Sequence, residues 1–456
     1  VKIDALVAEI GSTTTIVNAF DKLSTPNPVF LGQGSAPTTV IDGDVTIGLQ
    51  MAIDDLKQNL FVDSIDPVET FACSSAAGGL KMSVHGLVYD MTVKAAKEAA
   101  LGAGANLKLI TSGILDPFQV EKIKQLKLNI IMLAGGVDYG ETKTALDNAK
   151  TIASMRLNIP VIYAGNIQNQ NAIKKIFQEE LQADFLFLTP NVYPKIDQLQ
   201  IDETRKIIQS VFEKHIVNAP GMEKVRSQIQ GSIIPTPGAV MEASLLLQQS
   251  IGDLVTFDIG GATTDVHSVT KGNKKLEKLM IGPEPFAKRT VEGDLGVYIN
   301  KNNIIESIGI KNLAIDLKIS ESDLDKLLQE YKPIPIKAHF PLVERLAKEA
   351  LSISLERHAG HYIYLFGALG KTTLTEGKDL TEVKYCIGTG GALTRLPNKK
   401  NIIREVLMNK NERLLKPNTD SEILIDEDYI MAALGVLSKK HPEAALYLLK
   451  KSLKIG

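Results

Sequence analysis

The sequence predicts an α/β protein built of two related halves, the first of which carries an inserted parallel α/β layer. Three observations lead there. The length of 456 residues allows two to four domains at roughly 150 residues each. A strand, a tight Gly turn and a second strand stand near the N-terminus and return about 250 residues later, an offset that no short solenoid period explains. Between the two copies, short apolar runs alternate with helical stretches, the pattern of a parallel sheet with crossover helices.

The first copy begins with the apolar strand Ala5–Ala8, turns through Glu9-Ile10-Gly11-Ser12-Thr13-Thr14-Thr15 and continues as Ile16–Phe20. The second reads Val255-Thr256-Phe257-Asp258-Ile259-Gly260-Gly261-Ala262-Thr263-Thr264-Asp265-Val266, so that Glu9 falls on Asp258, Gly11 on Gly260, Thr14 on Thr263 and Thr15 on Thr264. In between, Leu107–Gly113, Asn129–Gly136, Pro160–Asn166 and Phe185–Asn191 are short enough for buried parallel strands. The helix Asp116–Leu128 opens on Asp-Pro, a cap followed by a first-turn proline, and Ile173, Ile176, Phe177 and Leu181 share one helical face. A long helical region, Ile201–Gln230, closes the insertion, and Ile233–Pro237 returns the chain to the main body. Beyond the second copy, Ser320–Tyr331 and Pro341–His358 read as helices, Tyr362–Phe366 and Lys384–Ile387 as strands, and Tyr429–Ile455 as mostly helical. Pro333 and Pro335 break the helices between them. The boundaries that follow are a first half at 1–105, an inserted subdomain at 106–230, a return at 231–250, a second half at 251–430 and a C-terminal helix at 431–456.

Composition removes several classes of function. Lys plus Arg number 51 against 53 Asp plus Glu, a net charge of −2, so no basic excess draws the chain to nucleic acid or to an anionic membrane. Only 5% of residues are aromatic and none is Trp, which excludes an aromatic-rich binding face. Cys73 and Cys386 lie far apart and form no CxxC pair, which argues against a disulfide framework and fits a reducing compartment. No signal-peptide pattern opens the sequence and no apolar run reaches the ~20 residues that span a bilayer, so a cytoplasmic location is expected.

Gly and Thr in a turn beside an acidic residue suit a nucleotide tail. A residue without Cβ lets backbone N–H groups approach phosphate oxygens, and Thr hydroxyls add donors. A carboxylate there is a hard oxygen ligand for Mg2+, usually through water. Glu9 and Asp258 therefore read as metal contacts and catalytic candidates facing one Mg-ATP from two sides, and either can align the attacking water. A third cluster, Cys386-Ile387-Gly388-Thr389-Gly390-Gly391-Ala392-Leu393, follows a strand and would let the backbone pass close to a base or ribose. Two further acids are weaker candidates. Asp138 follows a Gly-Gly turn at a strand end of the inserted layer, where open α/β sheets place ligands, and Asp294 stands where Glu292-Gly293-Asp294 would start a helix near the nucleotide.

This three-part pattern resembles the actin-like ATPase superfamily of sugar kinases, actin and DnaK-type chaperones, whose ribonuclease H-like halves hold ATP in the cleft between them. By motif, Gly11, Ser12, Thr13 and Thr14 match the first phosphate turn, Gly260, Gly261 and Thr263 the second, and Gly388, Gly390 and Gly391 the adenosine turn. Ala432-Ala433-Leu434-Gly435-Val436 resembles the superfamily's second connecting helix. The first turn usually carries Asp, whereas this chain has Glu9, whose extra methylene still permits contact with a metal-bound water.

Within the superfamily, the chain resembles the GlmL or MutL family of glutamate mutase accessory proteins, unrelated to the mismatch-repair protein of the same name. The ordered set that carries the likeness includes Met132-Leu133-Ala134-Gly135-Gly136-Val137-Asp138, Pro235-Thr236-Pro237-Gly238-Ala239-Val240, Arg289-Thr290-Val291-Glu292-Gly293-Asp294-Leu295-Gly296, Leu355-Glu356-Arg357-His358-Ala359-Gly360 and Gly377-Lys378-Asp379-Leu380. The resemblance implies a chaperone-like ATPase, using ATP and Mg2+, that reactivates an adenosylcobalamin-dependent aminomutase such as glutamate mutase. It leaves room for a homo-oligomer. An ATP-dependent small-molecule kinase or hydantoinase-type enzyme stands as the enzymatic alternative, because Asp258–Asp265 also resembles the hydantoinase phosphate turn. A nucleotide-binding scaffold without hydrolysis is the other, and Glu9 is the feature that favours it.

Three patterns are set aside. Gly370-Lys371-Thr372 resembles the end of a P-loop, yet Leu365 occupies the required upstream Gly position. Asp265-Val266-His267 resembles the start of a cobalamin-ligating Asp-x-His-x-x-Gly, but position 270 is Thr and His267 reads as a strand histidine. The seven histidines show no HExxH or other paired ligand spacing, which disfavours a zinc site.

Overall fold

The computed structural model describes residues 1–40, 43–76, 80–103, 105–216, 221–231, 233–367 and 370–455. It divides into two compact units, one comprising Val1–Ala77, Ile216–Ile281 and Phe286–Gly456, the other Gly78–His215 and Gly282–Pro285. In chain order, the first unit opens with β1 (Lys2–Ile10), β2 (Thr14–Asp21), β3 (Val29–Pro37) and β4 (Asp66–Ser74). The second supplies β5 (Leu80–Gly86), β6 (Ala105–Ser112), β7 (Ile130–Leu133), β8 (Val161–Tyr163) and β9 (Leu186–Leu188). The first then resumes with β10 (Ile234–Pro235), β11 (Leu254–Ile259), β12 (Thr264–Val269), β13 (Ala287–Glu292), β14 (His361–Gly367), β15 (Gly370–Glu376), β16 (Tyr385–Thr389) and β17 (Glu422–Ile425).

The first unit holds two five-stranded sheets, ordered β3-β2-β1-β4-β10 and β13-β12-β11-β16-β17. In each, an antiparallel three-strand meander runs out from the central strand on one side, and two parallel strands add on the other. The two sheets therefore share one connectivity, with β1–β2 equivalent to β11–β12. That equivalence is the pair of related halves the sequence predicts, in an α/β fold. Ala5 to Ile10 are all buried, the reading of a central strand covered on both faces.

Helices cover these sheets where the sequence supplies caps and apolar stripes. Pro237 sits in the first turn of Thr236–Ile251 and Pro341 in that of Phe340–His358, positions where the missing N–H has no partner to lose. Every residue of the helix Met431–Leu437 is buried. One core joins Val7, Phe71 and Cys73 of the first sheet to Leu254, Ile387 and Leu424 of the second through Ala239, Val240, Ala243, Ala433 and Leu434 of the two helices between them. The contact is so close that a Cβ on Gly435 would lie 1.8 Å from the Ala239 carbonyl oxygen. Gly435→Ala gains helix propensity but forces these helices apart. Overpacking of this kind costs about 1–3 kcal/mol, and thermal denaturation should show the variant several degrees less stable than the parent.

The second unit is a fully parallel sheet ordered β6-β5-β7-β8-β9. Its helix Pro117–Gln125 begins with a complete capping box between Asp116 and Gln119, as the Asp-Pro signal predicts. The four expected strands are all present as β6 to β9. The unit begins earlier than position 106, because β5 pairs between β6 and β7 and is its inner strand. That strand is hidden in the sequence by Ser83 and His85, which are buried as a polar chain: Ser83 Oγ lies 2.8 Å from His85 Nε2, and His85 Nδ1 lies 2.8 Å from Thr111 Oγ1. Burial alone drives the His85 pKa down to about 3 and keeps the ring neutral. Leu181 does not share the apolar face of Ile173 and Phe177. It follows the helix Gln170–Glu179 in the left-handed region at φ 57° and is exposed. The region Ile201–Gln230 forms two helices, Asp202–Ile216 and Met222–Gln228, with 217–220 outside the described residues. Among the described residues, no helix is long and apolar enough to cross a membrane.

Candidate functional site

The two Gly-Thr hairpins close in the same way. Gly11 N–H donates to the Thr14 carbonyl at 3.0 Å, and Gly260 N–H donates to the Thr263 carbonyl at 2.9 Å. They also meet: a Cβ on Gly261 would stand 2.8 Å from Thr13 Oγ1 and 3.1 Å from its Cγ2. The third cluster reaches the same place, since a Cβ on Gly390 would lie 2.3 Å from Asp258 Oδ1 and 2.6 Å from the Ile259 carbonyl. Gly390 has φ 81° and ψ 158°, a region essentially confined to glycine. The three motifs, spread along the sequence, thus line one crevice of the first unit.

Not every predicted residue serves that crevice. The Ser12 hydroxyl donates to the Ser75 carbonyl at 3.1 Å, which commits its proton to the loop after β4. Thr13 and Thr14 are half-buried in the turn, and the Thr263 hydroxyl donates to Asp265. Gly388 is an inner residue of β16 packed against Ile425, Ile403 and Leu393, so it serves packing rather than a ligand. Gly391 opens the helix Gly391–Arg395, and the space where its side chain would be is empty.

The weaker acidic candidates have other work. Asp138, in the second unit, accepts from Ile167 N–H at 3.0 Å and from Asn191 Nδ2 at 2.9 Å, which ties three loops together. Asp294 starts no helix. Its two oxygens accept from Arg357 Nη1 at 2.9 Å and Nη2 at 3.0 Å, and this fork holds its pKa below the usual carboxylate range. Of the patterns set aside, Lys371 lies 3.5 Å over the Tyr364 ring on the β14–β15 hairpin, and His267 is buried in β12.

The electrostatics concentrate on Glu9 and Asp258. Glu9 is buried, its Oε2 has no hydrogen-bond partner among the described residues, and its pKa is pushed up to about 8, first by burial and then by Asp258 and Asp426. Asp258 is half-buried at the crevice and is raised to about 7 by desolvation and then by Asp426. Three carboxylates drawn together out of water favour protonation. Asp426 escapes the motif reading, yet it ends the apolar strand Ile423-Leu424-Ile425 as Glu9 ends Val7-Ala8 and Asp258 follows Phe257. It is tied down by Thr389 Oγ1 at 2.9 Å, Ser452 Oγ at 2.7 Å and the N–H groups of Ile430 and Met431 at 3.2 and 2.9 Å. Arg395 is the cation whose field lowers Glu9, and its guanidinium stands 5.6 Å from the Tyr429 ring centroid.

The crevice fits a nucleotide and a hard divalent ion. Its donor set is all oxygen, Glu9 Oε2 is buried and orphaned, and side chains at Gly261 and Gly390 would fill the turns. The raised pKa values also set a pH dependence. Glu9 and Asp258, with usual values of 4.5 and 3.8, bind their protons more tightly when folded, so the folded chain holds more protons across pH 4–8. Their contribution to stability is therefore lost as pH rises through that window. Thermal denaturation without metal should show Glu9→Gln nearly equal to the parent at pH 5 and several degrees more stable at pH 8.5.

Comparison with known proteins agrees over almost the full length. The family described as MutL protein matches residues 5–453. "Protein MutL" of Clostridium tetanomorphum is 37% identical over 462 residues, covering 98% of each chain. Among solved structures, nucleotide-free acetone carboxylase is similar at TM-score 0.43 and 12% identity, over 96% of this chain and 70% of that one. The nucleotide-free diol dehydratase-reactivating factor is similar at TM-score 0.38 and 11% identity, over 96% of this chain and 99% of that one.

Proposed function

This chain belongs to the MutL protein family, and we propose that it is a chaperone-like ATPase that binds and hydrolyses Mg-ATP to reactivate an adenosylcobalamin-dependent aminomutase such as glutamate mutase. The observation that carries the ATP reading is the convergence of Thr13, Gly261, Gly390 and Asp258 on one crevice. The client follows from the family resemblance. In this reading the backbone N–H groups of the two turns and the hydroxyls of Thr13 and Thr14 hold the phosphate oxygens, and the Gly390-Gly391 turn lies along the adenosine. Glu9 and Asp258 hold the metal, through water or directly, and one of them orients the attacking water. A Mg2+ ion held by Glu9 and Asp258 would supply positive charge beside the phosphates, and both carboxylates would then bind it in their ionised form. The helices Thr236–Ile251 and Met431–Leu437 stand between the two halves, where a change of angle would be passed to the client.

Phosphate release, measured with and without the aminomutase and with no small acceptor, tests this. Release without an acceptor, stimulated by inactivated aminomutase, is the expected result. A phosphorylated metabolite would make the chain a kinase, and tight ATP binding without turnover would make it a scaffold. Binding of Mg-ATP at pH 7 should also release protons to the buffer, because Glu9 and Asp258 start largely or half protonated. Calorimetry in buffers of different ionisation enthalpy reads that number directly.

A further inference from the structure

Behind the second phosphate turn, Asp258 and Asp265 are directly paired across β11 and β12, and His267 follows Asp265 two residues on, facing the same side of the sheet. One ligand atom from each of the three lies within 4.8 Å of the others. Asp265 and His267 are 1% and 0% exposed, and neither Asp265 Oδ1 nor either ring nitrogen of His267 has a hydrogen-bond partner among the described residues. A polar atom buried without a partner is costly, and three at one spot call for a ligand.

We propose that Asp258, Asp265 and His267 bind a divalent transition-metal ion at a site that shares Asp258 with the Mg2+ that would accompany ATP and adds Asp265 and His267. One imidazole nitrogen with two carboxylate oxygens suits Mn2+ or Zn2+ better than Mg2+, which prefers an all-oxygen set. Ligands at about 2.0–2.2 Å from one ion stand at most about 4.4 Å apart, so small side-chain rotations complete the site. Burial keeps the imidazole neutral, the form that ligates, and pushes Asp265 up as Asp258 does. Arg289, across from His267 on β13, opposes a cation, while Asp258, Asp265 and Glu292 favour one. Asp258 reaches the crevice and His267 does not, so the ion would brace the second phosphate turn from behind.

The test uses the full chain, stripped with a chelator and titrated calorimetrically with ZnCl2 or MnCl2 in millimolar MgCl2 without nucleotide. One equivalent should bind the parent, and His267→Gln and Asp265→Asn should each weaken it by at least about tenfold. With Co2+ as a probe, the visible spectrum of the parent should change in His267→Gln. Should the Gln variant not fold by circular dichroism, Asp265→Asn and His267→Leu are read instead. Absence of stoichiometric binding to the parent, or equal affinity in folded variants, overturns the site. So does a His267→Leu chain stabilised to the same extent with and without Zn2+, since His267 would then be an unpaired core residue. Because ATP is absent throughout, none of these outcomes bears on the nucleotide reading.

Discussion

Asp258→Ala is expected to reduce Mg-ATP turnover by at least about 10²–10³-fold, the cost of deleting one aimed electrostatic group, while the fold survives. The reason for survival is in the environment. Asp258 is an acid whose charge is opposed by burial and by Asp426, so removing it relieves repulsion. Thermal stability at pH 8 should therefore match or exceed that of the parent, and Asp258→Asn, with the shape kept and the charge gone, should behave alike. Phosphate-release kinetics alongside a melting curve separate lost chemistry from lost structure. Normal turnover in folded Asp258→Ala would remove the metal assignment.

The second large effect belongs to Gly261→Val. The first carbon of the new side chain would stand 2.8 Å from Thr13 Oγ1, and its branches would occupy the space between the two turns. Overpacking costs about 1–3 kcal/mol, which taken from binding is about 5- to 150-fold in ATP affinity. Equilibrium binding of a fluorescent ATP analogue reads this without any need for turnover. Unchanged affinity in a folded variant would mean that the hairpins meet for a reason other than phosphate. Thr13→Ala in the same background should recover part of the loss by making room, whereas a collapse of the whole fold would not respond to it.

Particular residues show where sequence reading succeeds and fails. Asp116-Pro117 announced a helix start because capping is local, and the hairpins at Gly11 and Gly260 were legible because a tight turn between strands needs its Gly in place. The strand Leu80–Gly86 was not legible: its buried Ser83 and His85 look like loop residues until Thr111 is brought alongside from another strand. The sequence around Asp294 suggests a helix start, but Arg357, some sixty residues later, claims its carboxylate. Gly388 carried the motif signal of a ligand turn, whereas pairing with both Phe257 and Ile425 makes it part of a sheet interior.

What the sequence determined by itself is the repeated strand–turn–strand unit and the chemistry of its glycines, hydroxyls and acids, because those depend on neighbours a few residues apart. The family membership also rests on linear pattern. Only the tertiary structure decided that Asp426 stands with Glu9 and Asp258, that Gly390 closes on Asp258, and that His267, without a hydrogen-bond partner among the described residues, lies beside two carboxylates. Desolvation and charge repulsion are properties of the assembled crevice. They arise when strands distant in the chain exclude water from the same few ångströms, and no spacing along the polypeptide encodes them.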